Sequence, residues 1–239
     1  MVGAYLLGSV PAAYLVAKWS RGIDIRQFGS GNVGASNVLT SVSRRWSIPV
    51  IIFDLVKGLL AIYIAQLIGL GVTQQVAVGL ATIIGHNWPV FLCFAGGRGG
   101  LTIMGVALIL APKLALILIA IAFILSVFRQ LALGTILVIA ALPVGSWFLG
   151  RQLGITEEPL MLSLGFLAIF LVTIIRRLTA PRTSLAASVS TGQLIINRLL
   201  FDRDIRDREA WIHRAPTEAG SVEQMPAQQK KKGEGRLPE

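Results

Sequence analysis

At 239 residues, with 54% hydrophobic and only 14% charged side chains, the chain departs from a soluble globular composition toward that of a polytopic membrane protein. Its formal charge of +10 does not make a nucleic-acid surface, because the basic residues gather at the ends of apolar segments instead of striping with aromatics; topology and lipid headgroups account for them. The single Cys93 excludes an intrachain disulfide and a cysteine-based zinc site, and is expected to pack as a small hydrophobe.

Hydropathy predicts helices near residues 2–19, 47–69, 74–94, 100–111, 114–128, 131–149 and 159–175, an all-α membrane fold of about seven crossings. Before Arg176 the only acidic residues are Asp24, Asp54, Glu157 and Glu158, so long stretches can enter hydrocarbon without an unpaired charge. No cationic region precedes the first segment, which reads as a retained helix and not as a cleaved signal.

The first segment leads into IDIRQFGSGNVGASN, residues 23–37. Gly29, Gly31 and Gly34 allow close backbone approach, and Ser30, Asn32, Ser36 and Asn37 add short hydrogen-bonding groups, the properties of an oxyanion cradle. On the second segment Asp54 and Lys57 stand at i, i+3 and are expected to face one another, either as a buried structural pair or with Lys57 as a phosphate ligand.

Past the third segment comes GHNWPVFLCFAGGRGG, residues 85–100. His86, one of two histidines with His213, can hydrogen-bond but cannot join a histidine metal cluster. Arg98 stands among four glycines where the fourth segment begins, so helix N–H groups and the positive dipole end would share its anion. A Gly-rich loop also serves as a tight turn, and it is the occurrence of two such loops on one face that favours binding. The fourth and fifth segments are each shorter than the roughly 20 residues of a span and meet at Ala111-Pro112-Lys113, where proline breaks a helix; one bent crossing is the alternative to two.

Seven crossings with the N-terminus outside put Lys18, Arg21, Arg26, Arg44, Arg45, Arg98, Arg129, Arg176 and Arg177 on the cytoplasmic side, leaving Lys113 and Arg151 outside. Merging segments four and five would misplace Arg129 or the cytoplasmic C-terminus. The expected organisation is a membrane domain over 1–182, a segment over 183–213 and a polar tail over 214–239. Residues 193–212 carry apolar positions at loosely helical spacing among Arg and Asp, either an interfacial amphipathic helix or a short helix packed on loops. The tail, with Lys230-Lys231-Lys232, is too polar to bury a core and is expected to be disordered.

The series GSVPAAYLVAKWSRGIDIRQFGSGNVGASN, DLVKG, GHNWPVFLCFAGGRGG and FRQLALGTI, spread over residues 3 to about 182, resembles the bacterial integral-membrane glycerol-3-phosphate acyltransferases that take their acyl group from acyl-phosphate. The resemblance implies a seven-helix fold in the bacterial plasma membrane with its loops gathered at the cytoplasmic face. It implies acyl transfer to the 1-hydroxyl of glycerol 3-phosphate, with release of phosphate and no metal or coenzyme A. Acyl-phosphate, glycerol 3-phosphate and membrane lipids are then the partners, and nucleic acid is not. By the same resemblance Ser30, Asn32 and Asn37 belong to the catalytic network of the first loop. Gly31 and Gly34 form its backbone cradle, and Lys57, His86, Arg98, Arg176 and Thr179 are expected around the substrates.

The chain departs from the family pattern at four positions. Thr40 stands where Arg is usual, Arg98 where Lys is usual, and Arg176 and Thr179 where His and Asn are usual. A mechanism that needs an imidazole at position 176 is therefore excluded. These substitutions motivate a rival reading, a non-catalytic membrane subunit that binds a phospholipid or phosphate ester. A small organic-anion transporter is a further rival, disfavoured by the lack of an inverted repeat.

Overall fold

The computed structural model describes residues 1–212 except Arg129 and Thr156, so the expectations for Arg129, His213 and the polar tail lie outside the described residues. The described residues are helical or irregular and contain no strand. In chain order the helices are α1 (Val2–Ser9), α2 (Ala12–Arg21), α3 (Ala35–Ser41), α4 (Arg44–Leu67), α5 (Val72–Asn87), α6 (Gly100–Leu110), α7 (Pro112–Val127), α8 (Leu131–Phe148), α9 (Pro159–Leu178), α10 (Thr191–Phe201) and α11 (Arg208–Ile212). By length and composition α4, α8 and α9 can each cross a membrane, whereas α6 and α7 are shorter apolar helices.

Proline sets the breaks. The first apolar segment, expected as one helix, divides at Val10-Pro11: Val10 is extended (φ −62°, ψ 115°), the conformation forced on a residue before proline. The third segment stops short of its expected end because Trp88 leaves the helix before Pro89, and Ala111 does the same before Pro112, which opens α7 at its first turn. The breaks at Pro11 and Pro89 lie where the site forms, whereas Pro112 stands at the far end of α6 from Arg98.

Apolar burial alone cannot hold helices together in lipid, so close backbone packing must contribute. A Cβ on Gly58 would collide with the Thr102 carbonyl and one on Gly105 with the Leu55 carbonyl, which seats α6 directly on α4. Gly8 and Gly85 do the same for α1 and α5 against the carbonyls of Thr82 and Tyr5. Helix α5 also packs on α9, and α8 on α7 and α9, around a core that includes Ile62, Ile83, Val106, Leu142, Phe166 and Ile169. Cys93 is not part of that core: it is exposed, in the left-handed region at φ 50° beside Phe94 at φ 63°. The tight turn after Pro89 points Cys93 and Phe94 outward while Leu92 stays buried.

The region after α9 is not one helix. Asp202 takes a left-handed conformation (φ 55°) that ends α10, and Arg208–Ile212 forms a separate short helix. Helix α10 docks on α8 and α9 through Leu194, Asn197 and Arg198, while Ile195, Ile196 and Leu200 remain exposed.

Candidate active site

The first loop begins where Gly22, left-handed at φ 68°, ends α2. Asp24 then caps a short turn by accepting the Arg26 N–H at 3.0 Å and pairing with the Arg26 guanidinium at 2.6 Å. Burial raises the Asp24 pKa, but the hydrogen bonds and charge of Arg26 outweigh it and leave the carboxyl below its ordinary value. Asn37, 1% exposed, organises the rest. Its Nδ2 donates to the carbonyls of Ile25, Phe28 and Asn32 at 3.0 Å each, and its Oδ1 accepts from Ser30 N at 3.0 Å and Ser41 Oγ at 3.1 Å. All its polar capacity is spent inside the loop, so Asn37 shapes the cradle without an atom left for substrate. Gly29 (φ 53°) is required here on two counts, because a Cβ would also strike Asn37 Oδ1 and Ser41 Oγ. Gly31 turns the chain at φ 69°, and Gly34 is the extended residue ahead of α3. Ser30 Oγ accepts from Asn32 N at 3.4 Å and donates to no protein acceptor among the described residues.

The second loop folds directly against the first. Gly97 lies so close to the Val33 carbonyl and His86 Nε2 that a Cβ would collide with both, and one on Gly96 would meet the His86 carbonyl. Arg26 Nη1 reaches the Leu92 carbonyl at 3.4 Å, and Arg98 Nη1 reaches Asn32 Oδ1 at 3.4 Å, so each loop holds the other. Gly99 (φ 72°) opens α6 without a side-chain cap, leaving the first N–H groups of the helix for an anion beside Arg98. The Arg98 Nε pairs with Asp202 Oδ1 at 2.6 Å.

Arg176 was expected among the substrate ligands; the structure puts it underneath the loop. Its Nε donates to the Gly97 carbonyl at 2.9 Å and its Nη2 to the Gly96 carbonyl at 2.6 Å, with the guanidinium 5.8 Å from the Trp88 ring centroid. At 4% exposure it is a support that fixes two glycine carbonyls which no helix holds. Arg177 ties α9 to the Ala132 and Leu199 carbonyls. Thr179 is not brought to the loops by any hydrogen bond: it is exposed and donates back to Ile175 O at 2.8 Å.

Beneath the loops lies a buried polar cluster. Lys57 Nζ is 2.8 Å from Asp54 Oδ1 and 3.4 Å from the Val10 carbonyl freed at the α1–α2 break. His86 Nδ1 stands 3.6 Å from Asp54 Oδ1 and 3.5 Å from Thr102 Oγ1, and Thr102 donates to the Asp54 carbonyl at 3.0 Å. Among the described residues Lys57 has no hydrogen bond to either loop and reaches them through Asp54 and His86. A small cavity bordered by Ser9, Pro11, Val33, Asp54, His86 and Gly96 adjoins this cluster, with room for about one water (≈ 10 Å³). An apolar groove between α6, α7 and α8 starts at Gly100 and Thr135 and runs past Met104, Ala107, Leu118 and Val138. Among the described residues no three His, Cys, Asp or Glu side chains gather as metal ligands would.

Sequence reasoning missed two parts of this arrangement. Asp202 was not foreseen as a partner of Arg98, and Asn87 is fully buried beside Gly99 with both amide atoms unpaired among the described residues. Neither carries a local sequence signal.

Residues 1–187 match the family model described as glycerol-3-phosphate acyltransferase. The chain is 49% identical over 219 residues to glycerol-3-phosphate acyltransferase 5 of Dehalococcoides mccartyi, covering 91% of this chain and 94% of the relative. It is 47% identical to glycerol-3-phosphate acyltransferase 4 of another strain of that organism, covering 88% and 90%. The fold is similar to that of PlsY (YgiH), an integral membrane glycerol 3-phosphate acyltransferase, in two crystal structures. Its glycerol 3-phosphate form superposes with a TM-score of 0.67 at 28% identity, covering 86% of this chain and 92% of that one. Its lysophosphatidic acid form gives 0.62 at 27% identity, covering 88% and 95%.

Proposed function

The chain belongs to the glycerol-3-phosphate acyltransferase family, and from that premise we propose that it moves a fatty acyl group from acyl-phosphate to the 1-hydroxyl of glycerol 3-phosphate. The products are 1-acylglycerol 3-phosphate and inorganic phosphate. The hydroxyl oxygen bonds to the acyl carbonyl carbon, the bond from that carbon to the phosphate oxygen breaks with its electron pair, and the hydroxyl proton ends on the released phosphate. Such a donor is a mixed anhydride with a good leaving group, so alignment and charge stabilisation carry most of the catalysis.

One observation carries the reading: Arg98 sits where the two Gly-rich loops meet, at the uncapped start of α6, and an apolar groove begins two residues later at Gly100. The phosphate of glycerol 3-phosphate and the acyl chain of the donor, the two groups brought together by the reaction, find complementary surfaces side by side. In this scheme Arg98, the first N–H groups of α6 and the Ser30 hydroxyl bind phosphate oxygens, Asn37, Gly31 and Gly34 shape the first loop, and Arg176 and His86 hold the second. The acyl chain lies along α6, α7 and α8. Support for the acceptor and product comes from the two PlsY forms, one with each molecule. The basic-residue asymmetry supports seven crossings with the site at the cytoplasmic face of the bacterial plasma membrane, and the exposed Ile195, Ile196 and Leu200 of α10 suit the membrane interface there.

The test is Arg98→Ala, assayed with palmitoyl-phosphate and radiolabelled glycerol 3-phosphate. Loss of a phosphate contact lowers kcat/KM by about ten-fold or more, equivalent to roughly 1.4 kcal/mol, while the protein still runs monodisperse in detergent. Native activity in this variant would reject the phosphate role.

A further inference from the structure

Asp202 lies beyond residue 187, where the family match ends, yet its carboxylate makes the shortest polar contact to Arg98. The segment that carries it is fixed without Arg98. Arg198 donates to the carbonyls of Leu178 at 2.7 Å, Ala180 at 2.8 Å and Pro181 at 3.3 Å, and pairs with Asp204 at 2.8 Å. Asp204 in turn accepts from Thr183 N and Oγ1 at 2.8 Å each, and Arg177 donates to the Leu199 carbonyl. With Arg198 and Asp204 both buried, the turn at Asp202 is a rigid bracket. It is not built as a swinging strap.

A guanidinium is a planar fork, so acceptors on two of its nitrogens fix both the direction and the plane of the third. Asp202 holds Nε, Asn32 holds Nη1, and Nη2 has no acceptor among the described residues. Resting on the phosphate role assigned to Arg98 above, we propose that Asp202 is a positioning residue that orients the Arg98 guanidinium so that its Nη2 edge receives the phosphate of glycerol 3-phosphate. The rotamer entropy of a long side chain is then removed before the substrate arrives. The C-terminal segment thereby becomes a component of the site, and Arg98 and Asp202 act as one unit.

Two substitutions separate this from a structural role. Asp202→Gly keeps the left-handed backbone and deletes the carboxylate, and Asp202→Asn tolerates the same backbone and keeps an oxygen acceptor. With purified protein and palmitoyl-phosphate, Asp202→Gly raises KM for glycerol 3-phosphate by about five-fold or more with a much smaller change in kcat. Asp202→Asn stays closer to the native enzyme than to the glycine variant. In an Arg98→Ala background Asp202→Gly adds no further loss, because the group it orients is gone. An unchanged or lowered KM in Asp202→Gly overturns the proposal, as does a penalty that persists in full without Arg98, or lost thermal stability with native KM. A harmful Arg98→Ala combined with a silent Asp202→Gly rejects this inference alone, whereas a silent Arg98→Ala rejects the phosphate role on which it rests.

Discussion

Replacing Arg176 by methionine keeps an unbranched stem of similar size and removes the two donors that hold the Gly96 and Gly97 carbonyls. Hydrogen bonds from a charged group are worth about 1.5–3 kcal/mol each, giving about 3–6 kcal/mol for the pair. Relief of the guanidinium's own burial offsets part of this, which leaves about 2–4 kcal/mol of lost loop anchoring. If that anchoring is needed to present Arg98, kcat/KM falls by about 30- to 1,000-fold. The assay is acyl transfer from palmitoyl-phosphate to radiolabelled glycerol 3-phosphate, beside a size-exclusion profile in detergent to show that the bundle survives. Arg176→Lys recovers only part of the loss, since one ammonium cannot reproduce the planar reach to two carbonyls. Methionine within about three-fold of native activity, or lysine equal to arginine, would refute the anchoring argument.

Gly97→Ala drives a Cβ into the Val33 carbonyl and His86 Nε2, so activity drops sharply while the protein remains extractable; an active alanine variant would show that the loops do not meet as described. Lys57→Met leaves Asp54 buried without its cation and lowers thermal stability by about 3–5 kcal/mol, a prediction that fails if melting in detergent is unchanged. Burial raises the Asp204 pKa, but hydrogen bonds from Thr183 and Arg198 and the Arg198 charge outweigh it and hold the carboxyl below its ordinary value. Its stabilising contribution is therefore present above the unfolded carboxylate range near pH 4 and is lost as pH falls through the lower folded value. Melting profiles should show that acid loss in the native protein and not in Asp204→Asn. For orientation, a cysteine at Ser43 in a Cys93→Ser background resists an impermeant reagent added outside intact cells; labelling from outside would reverse the topology.

How far the sequence can be read depends on how far apart the interacting residues are. Pro112 is visible as a break because it stands beside Lys113, between two apolar runs each too short for a crossing. Pro11, although Gly8 and Ser9 precede it, lies inside a segment whose total length suits a single crossing, and so the first segment reads as one helix. The two loops are legible because glycine and short polar side chains have few other uses at such density. The direction of a side chain within them is not: Asn37 turns inward because the positive φ values at Gly29 and Gly31 wrap the carbonyls of Ile25, Phe28 and Asn32 around its amide. Arg176 serves two backbone carbonyls, and backbone acceptors leave no mark in sequence. Thr179 shares the helix end with Arg176 but stands exposed, a difference that only the azimuth of α9 decides. The contact between Arg98 and Asp202 spans 104 positions along the chain, and its charges are indistinguishable from neighbouring Arg and Asp until the fold closes it. The positive φ of Cys93 and Phe94, which costs roughly 1–3 kcal/mol per residue, likewise has no glycine to announce it.

The most direct test of the account supplies the purified native protein with radiolabelled glycerol 3-phosphate and, in parallel, palmitoyl-phosphate or palmitoyl-coenzyme A, in buffer containing EDTA. Acyl-phosphate-dependent transfer predicts labelled 1-acylglycerol 3-phosphate with equimolar release of inorganic phosphate from the first donor and none from the second. Product from the coenzyme A donor alone, product that requires a divalent ion, or no product from either donor with a monodisperse protein would contradict it.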